Sequence, residues 1–219
     1  MVQDNKRVSN GNSGAESATR FSPLDRYNAF SDGVFAIVIT LLVLELPVPA
    51  EGVPVLPALA ESWLDFLGYA ISFAFVGGIW LSHAGLSKYM KRGDAAFFRL
   101  NLVMLLFVAL LPFSTQLMVT HTKAVDASAA VVIYGANLFV ASGLITALLY
   151  YAERDRYLVV DDVADDLVRQ AYRQRRTYLV LLAVAVIVAF FAPLAAVASY
   201  IALAVAFLVQ PLIGLRRKH

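Results

Sequence analysis

The apolar residues of this chain come in long unbroken blocks rather than in the one-sided stripes of a soluble helix. As a helix, a run of about 20 such residues crosses the roughly 30 Å hydrocarbon core of a bilayer. The blocks run about 27–46, 63–82, 97–119, 129–151, 177–191 and 195–215, and the third is interrupted only by Pro112. Composition agrees: 60% of residues are hydrophobic and 16% charged, with mean hydropathy +0.69, against roughly 25% charged for a soluble domain. The fold expected is an all-α integral membrane bundle of six transmembrane helices. The first block is too long for a signal-peptide core and contains Asp32 and Glu45, so it reads as a span. The last two blocks, with Pro193 between them, read as a tight helical hairpin; one long tilted helix plus a short interfacial piece is the alternative.

The distribution of basic residues supports this count. Six spans put Lys6, Arg7, Arg20 and Arg26, then Lys88, Lys91, Arg92 and Arg99 on one side. The same side collects Arg154, Arg156, Arg169, Arg173, Arg175, Arg176, Arg216, Arg217 and Lys218, so that of the 18 basic residues only Lys123 falls opposite. Both termini are therefore expected in the cytoplasm, with residues 1–22 as a disordered tail, 23–215 as the six-helix domain and 216–219 as a basic tail. The charged stretch 161–176, DDVADDLVRQAYRQRR, has acids first and arginines last, which suits a short cytoplasmic helix. It is expected to be either a solvated connector or a regulatory element. Trp63, Trp80, Tyr150, Tyr151, Tyr157 and Tyr178 fall near span ends, as an interfacial aromatic belt would.

Several function classes are disfavoured. There is no cysteine, and the three histidines, His83, His121 and His219, are not at metal-ligand spacing. No metal site or cofactor is expected. The small net charge of +2 gives no reason to invoke nucleic acid. Ser82 and His83 are sequence neighbours, and consecutive helical residues point in different directions. They do not make a nucleophile–base pair, and no enzymatic activity is expected.

The first span holds the residues a membrane does not accept freely. A carboxylate as deep as Asp32 costs ~2.5–3.5 kcal/mol to insert unless paired or hydrated. Its candidate partners are Arg26 and Ser31 on the same helix, His83 at the end of the second span and Asn101 at the start of the third. These residues make either a structural knot tying three helices together or a proton- or ion-coupling site. Glu45, at the outer end, is either an ordinary interfacial charge or part of an acidic ring that concentrates cations. Ile37, Thr40, Leu41 and Leu44 share one helical face. Such a stripe ordinarily faces lipid, but repeated around a symmetry axis it would form apolar constrictions with one hydroxyl layer.

The segment from Arg26 to Ile37, with its Arg-x-x-x-Phe-Ser-Asp core, followed by Thr40 to Glu45, resembles the first helix of the lysosomal-type potassium channel family, the transmembrane protein 175 relatives. Ser72-Phe73 with Trp80 and His83, and Asn101-Leu102 followed by 111–115 (LPFST), resemble its second and third helices. The resemblance extends over roughly residues 26–120. It implies a potassium-preferring channel, with this single repeat placing the chain in the prokaryotic type: a homotetramer in a prokaryotic plasma membrane, whose partners are lipid, permeating K+ and copies of itself. By the same resemblance Ile37, Leu41 and Leu44 would form the hydrophobic gate and Thr40 the selectivity layer. Arg26, Ser31, Asp32, His83 and Asn101 would brace the pore helix. No Thr-Val-Gly-Tyr-Gly filter occurs in the sequence, so backbone carbonyl cages of that type are not expected. The competing reading is a proton-coupled secondary transporter using Asp32 and His83; no internal repeat of the kind common in transporters is visible.

Overall fold

The computed structural model describes residues 23–122, 125–154, 158 and 165–209. The expected tails at 1–22 and 216–219, the end of the sixth block at 210–215, Lys123 and Tyr157 lie outside the described residues. Every regular element described is helical: α1 (Pro23–Leu44), α2 (Val55–Glu61), α3 (Trp63–Tyr89), α4 (Ala95–Ala109), α5 (Leu111–His121), α6 (Ala127–Arg154), α7 (Asp165–Phe191) and α8 (Pro193–Val209). Among the described residues, five spans are long and apolar enough to cross a membrane: Leu24–Leu44, Trp63–Tyr89, Ala95–His121, Ala127–Arg154 and Tyr172–Phe191. The chain is an integral membrane protein.

Local chemistry sets the breaks. Pro112 has no N–H to offer the carbonyl four residues back, so the third span divides at Leu110 into α4 and α5. Asp94 starts α4 as its N-cap, accepting the Phe97 N–H at 2.8 Å. Pro193 opens α8 at the position where a missing N–H costs nothing. The chain then turns back on itself: the Tyr178 hydroxyl reaches the Leu203 carbonyl at 3.4 Å. In one continuous helix residues 25 positions apart would be roughly 37 Å apart, so the single-long-helix alternative is excluded. α8 is only 17 residues long, or about 25 Å at helical rise.

The second span is longer at one end and the fourth at both than hydropathy suggested, because polar ends such as Ser87–Tyr89 and Ala152–Arg154 continue the helix. The largest difference lies in the charged stretch. Its described part, from Asp165, is no separate cytoplasmic helix but the first turns of α7, continuous with the membrane span. Arg175, counted from sequence among solvated cytoplasmic charges, is 8% exposed in the bundle.

α6 is the hub, packed against α4, α5, α7 and α8, with Tyr134, Leu138, Ala141, Ile145 and Leu148 fully enclosed. Gly135 permits this closeness on one side: a Cβ there would strike the Tyr200 hydroxyl and ring on α8. Several polar groups buried at this level bond one another, although Asn137 Oδ1 has no partner among the described residues. Ser72 Oγ lies 2.7 Å from Thr115 Oγ1 and 2.9 Å from Tyr134 Oη, and Asn137 donates to Ser114 Oγ at 3.1 Å. In hydrocarbon no water can substitute for these partners, so they hold α3, α5 and α6 in register.

Candidate pore-lining face

α1 presents two unlike stripes. Ser31, Phe35, Val38 and Leu42 are buried against the bundle, where α1 packs on α3, α4 and α5. Ile37 (59% exposed), Leu41 (41%) and Leu44 (75%), with Thr40, point away from the rest of the chain. At 100° per residue the centres of the two stripes lie about 130° apart. The outward stripe is therefore fixed by the inward one, and no described residue of the same chain covers it. The Thr40 hydroxyl donates to the Ile37 carbonyl at 2.8 Å. With its proton engaged, that oxygen presents only lone pairs outward. The outward face of α7 differs in chemistry: Val180, Val184, Ile187 and Phe191 are exposed and purely apolar, which suits lipid.

The five residues expected to brace α1 separate into two places, because Ser31 and Asp32, adjacent on a helix, diverge by about 100°. Ser31 is fully buried and its Oγ accepts the Asn101 Nδ2–H at 2.9 Å from α4. His83, 1% exposed, sits beside them, with Tyr27 and Phe35 of α1 at ring-centroid distances of 6.0 and 5.7 Å. Among the described residues neither His83 ring nitrogen makes a hydrogen bond, and Asn101 Oδ1 is likewise unpartnered. Asp32 lies outside this cluster on the exposed flank of α1, where the Trp80 Nε1–H donates to its Oδ1 at 2.9 Å. Arg26 is exposed and in no hydrogen bond or ion pair among the described residues. Glu45, half-buried, follows the last residue of α1 in the closing turn.

Sequence reasoning misses Trp80. It assigns this residue to the aromatic belt, yet Trp80 stands well inside α3, nine residues from the helix end. The signal was available: an indole carries one N–H, and one deep carboxylate needed a donor. Tyr178 is also misplaced by the belt reading, being buried between α3 and α8, with its ring 6.1 Å from that of Phe75. Trp63 and Tyr150 are exposed near span ends, as a belt requires. A second hydrogen bond between α1 and α3, from Ser87 Oγ to Asn28 Oδ1 at 2.9 Å, is likewise unanticipated. The pairing of Asn28 with Ser87 and of Asp32 with Trp80 shows that the two helices run antiparallel.

Arg175 adds a buried cation to the same level of the bundle. Its Nη2 donates to the Gly78 carbonyl of α3 at 2.9 Å. Arg175 stands three residues inside the span Tyr172–Phe191, so burying its charge costs less than the ~2.5–3.5 kcal/mol of a helix centre, and this charge-assisted bond offsets part of that cost. Among the described residues no cluster of three potential metal ligands occurs.

Residues 26–112 match the family described as "Endosomal/lysosomal potassium channel TMEM175". A potassium channel of Chamaesiphon minutus is 36% identical over 160 residues, covering 69% of this chain and 78% of that protein. The endosomal/lysosomal proton channel TMEM175 of Bos taurus is 38% identical over 111 residues, 45% of this chain but 23% of that much longer one. The crystal structure of a lysosomal potassium-selective channel TMEM175 homolog from Chamaesiphon minutus superposes with a TM-score of 0.76 at 30% identity, covering 85% of this chain and 97% of that one. With the segment from Arg26 to Glu45, the order of the spans and these likenesses in agreement, the chain belongs to the TMEM175 family.

Proposed function

We propose that this protein is a potassium-preferring cation channel, a homotetramer in a prokaryotic plasma membrane with six membrane-crossing helices per subunit and both termini in the cytoplasm. Four copies of α1 surround the pore. α8 serves as the sixth crossing, its ~25 Å supplemented by residues that follow it. The observation that carries the reading is the outward stripe of α1: Ile37, Leu41 and Leu44 exposed around a Thr40 oxygen whose proton is engaged within its own helix.

Turned toward an axis, the three apolar layers make constrictions narrow enough to expel water, and a dry constriction blocks ions without a solid plug. Thr40 oxygens supply the one layer able to replace part of a cation's hydration shell. Backbone carbonyls of the closing turn carry the negative end of the α1 dipole, and Glu45 adds a carboxylate there. Four such ends at the outer mouth enrich cations. At the cytoplasmic half, Ser31–Asn101 and Asp32–Trp80 hold each α1 from two directions. A modest outward shift or rotation of α1 would wet the constriction. No filter of the Thr-Val-Gly-Tyr-Gly type is needed, and potassium preference comes from hydration cost and the Thr40 layer. The permeating ion is the substrate, and no cofactor or catalytic step enters.

The vertebrate relatives named as proton channels favour a second reading, proton flux along the same axis. Purified protein in planar bilayers separates the two. With potassium on one side and sodium on the other, discrete openings reversing toward the potassium potential support the first reading. A reversal that follows an imposed pH gradient supports the second. Flux without unitary openings would overturn both and point to a transporter.

A further inference from the structure

Arg175 lies beyond residues 26–112, the part matched by the family model, and none of the pore chemistry above uses it. α7 packs mainly on α6 and α8, so its reach to α3 is made by long side chains, Arg175 to the Gly78 carbonyl and Tyr178 to the Phe75 ring. A cation in a membrane span that bonds to a backbone carbonyl has a definite job in the bundle or is lost. The carbonyl it grips is unusual in two ways. It also accepts the Ser82 hydroxyl at 3.0 Å, and it belongs to Gly77-Gly78, where a glycine pair and a serine make the helix easy to bend. Gly77 has open space around its missing Cβ, so local packing does not stiffen this joint.

What α3 does on either side of the joint matters for α1. Two residues beyond Gly78, Trp80 holds Asp32. Further along, His83 lies between Tyr27 and Phe35 and Ser87 holds Asn28. All these contacts to α1 fall on the cytoplasmic side of the Gly77-Gly78 joint. A strut at the joint therefore sets the direction of the arm that positions the pore helix.

We propose that Arg175 is a positioning residue for the pore helix, fixing the Gly77-Gly78 joint of α3 from α7 and so holding α1, through Trp80 and Asp32, at its conducting angle. The mechanism rests on the channel reading, whereas the strut itself does not. Without Arg175 the arm relaxes and α1 settles toward closed apolar layers.

The test uses full-length protein carrying Trp63→Phe, which leaves Trp80 as the sole indole, since the chain has two tryptophans. Arg175→Met is expected to shift the Trp80 emission maximum and to lower open probability at least threefold. Unitary conductance and reversal potential stay unchanged, because no pore-lining group is altered. Arg175→Lys keeps a charged donor and recovers at least half of the open probability; Arg173→Met, at an exposed position of the same helix, leaves both readouts as in the parent. Should Arg175→Met fail to yield monodisperse protein, Arg175→Gln is read against the same two thresholds. Trp80 emission and open probability both matching the parent would overturn the proposal. So would an altered unitary conductance, which would place Arg175 in the ion path. If the parent protein passes no current, the channel reading fails, and the emission shift still decides the strut.

Discussion

Replacing Trp80 by Phe removes one N–H and leaves an aromatic ring in place, so it isolates the bond to Asp32. A hydrogen bond to a charged acceptor is worth about 1.5–3 kcal/mol in a buried soluble setting. Two features lower that figure. Asp32 is exposed on α1 and Trp80 is 38% exposed, and side-chain hydrogen bonds measured in membrane bundles average about 0.6 kcal/mol, with a maximum near 1.7. Charge assistance raises the value within that range, and about 1 kcal/mol is expected. A double-mutant cycle of Trp80→Phe, Asp32→Asn and the pair, read by reversible unfolding in mixed micelles, gives this coupling directly. The amide introduced by Asp32→Asn retains an acceptor, so the cycle reports the charged part of the bond and sits toward the low side of that value. If α1 makes the bond in only one of the open and closed states, about 1 kcal/mol corresponds to about a fivefold change in the open–closed equilibrium constant, at 1.4 kcal/mol per tenfold. A coupling energy within about 0.3 kcal/mol of zero, the scatter expected of independent sites, would refute the claim that Trp80 holds Asp32, leaving the two side chains as independent occupants of one surface.

Three further outcomes are expected. Gly135→Ala forces a methyl group against the Tyr200 hydroxyl at the α6–α8 crossing and should destabilise the bundle by about 1–3 kcal/mol through overpacking; an unchanged denaturation midpoint would count against that close approach. Asp94 is held below the usual carboxylate range first by the Tyr151 hydroxyl, at 2.6 Å, and then by the Phe97 N–H. A lowered folded pKa means stability that is present above the unfolded carboxylate value, about 3.9, and lost as pH falls through the folded one. The parent protein should thus weaken on acidification below about pH 4–5 by more than Asp94→Asn does, and Asp94→Ala should cost about 1 kcal/mol at neutral pH as the α4 cap is lost. Ile37→Asn should wet the constriction and raise leak current in bilayers, whereas an unchanged current from folded protein would remove Ile37 from the gate.

How much of this was legible beforehand follows from what hydropathy and spacing can encode. The spans were readable because lipid solvation demands apolar length, and the hairpin was readable because Pro193 cannot donate within a helix. The fusion of the charged stretch with α7 was not, since Asp165–Arg176 is a good helix former whether it stands alone or continues a span; only the burial of Arg175 decides between them. Span ends such as Ser87–Tyr89 were missed because polar residues at the interface carry no apolar signal. The outward stripe of α1 was visible as a periodicity, but a stripe of Ile37, Leu41 and Leu44 looks alike toward lipid or toward an axis, and it took the burial of Phe35, Val38 and Leu42 to show which face the chain leaves uncovered.

The bracing residues make the same point at finer scale. Arg26, Ser31, Asp32, His83 and Asn101 occur at compatible depths, and depth is all that sequence supplies. Azimuth divides them: Ser31 turns inward to Asn101, Asp32 turns outward to Trp80, and Arg26 stays clear of both. Had the carboxylate faced inward with His83, the pair would have formed a buried acid–base couple suited to carrying a proton between helices. With Asp32 instead on the flank of α1, bonded to an indole that cannot accept a proton, the charge is placed to orient a helix, and His83 is left wedged between Tyr27 and Phe35 without a hydrogen-bonded carboxylate to exchange with. That arrangement weakens the relay that a proton-coupled transporter would need and favours a brace acting on α1.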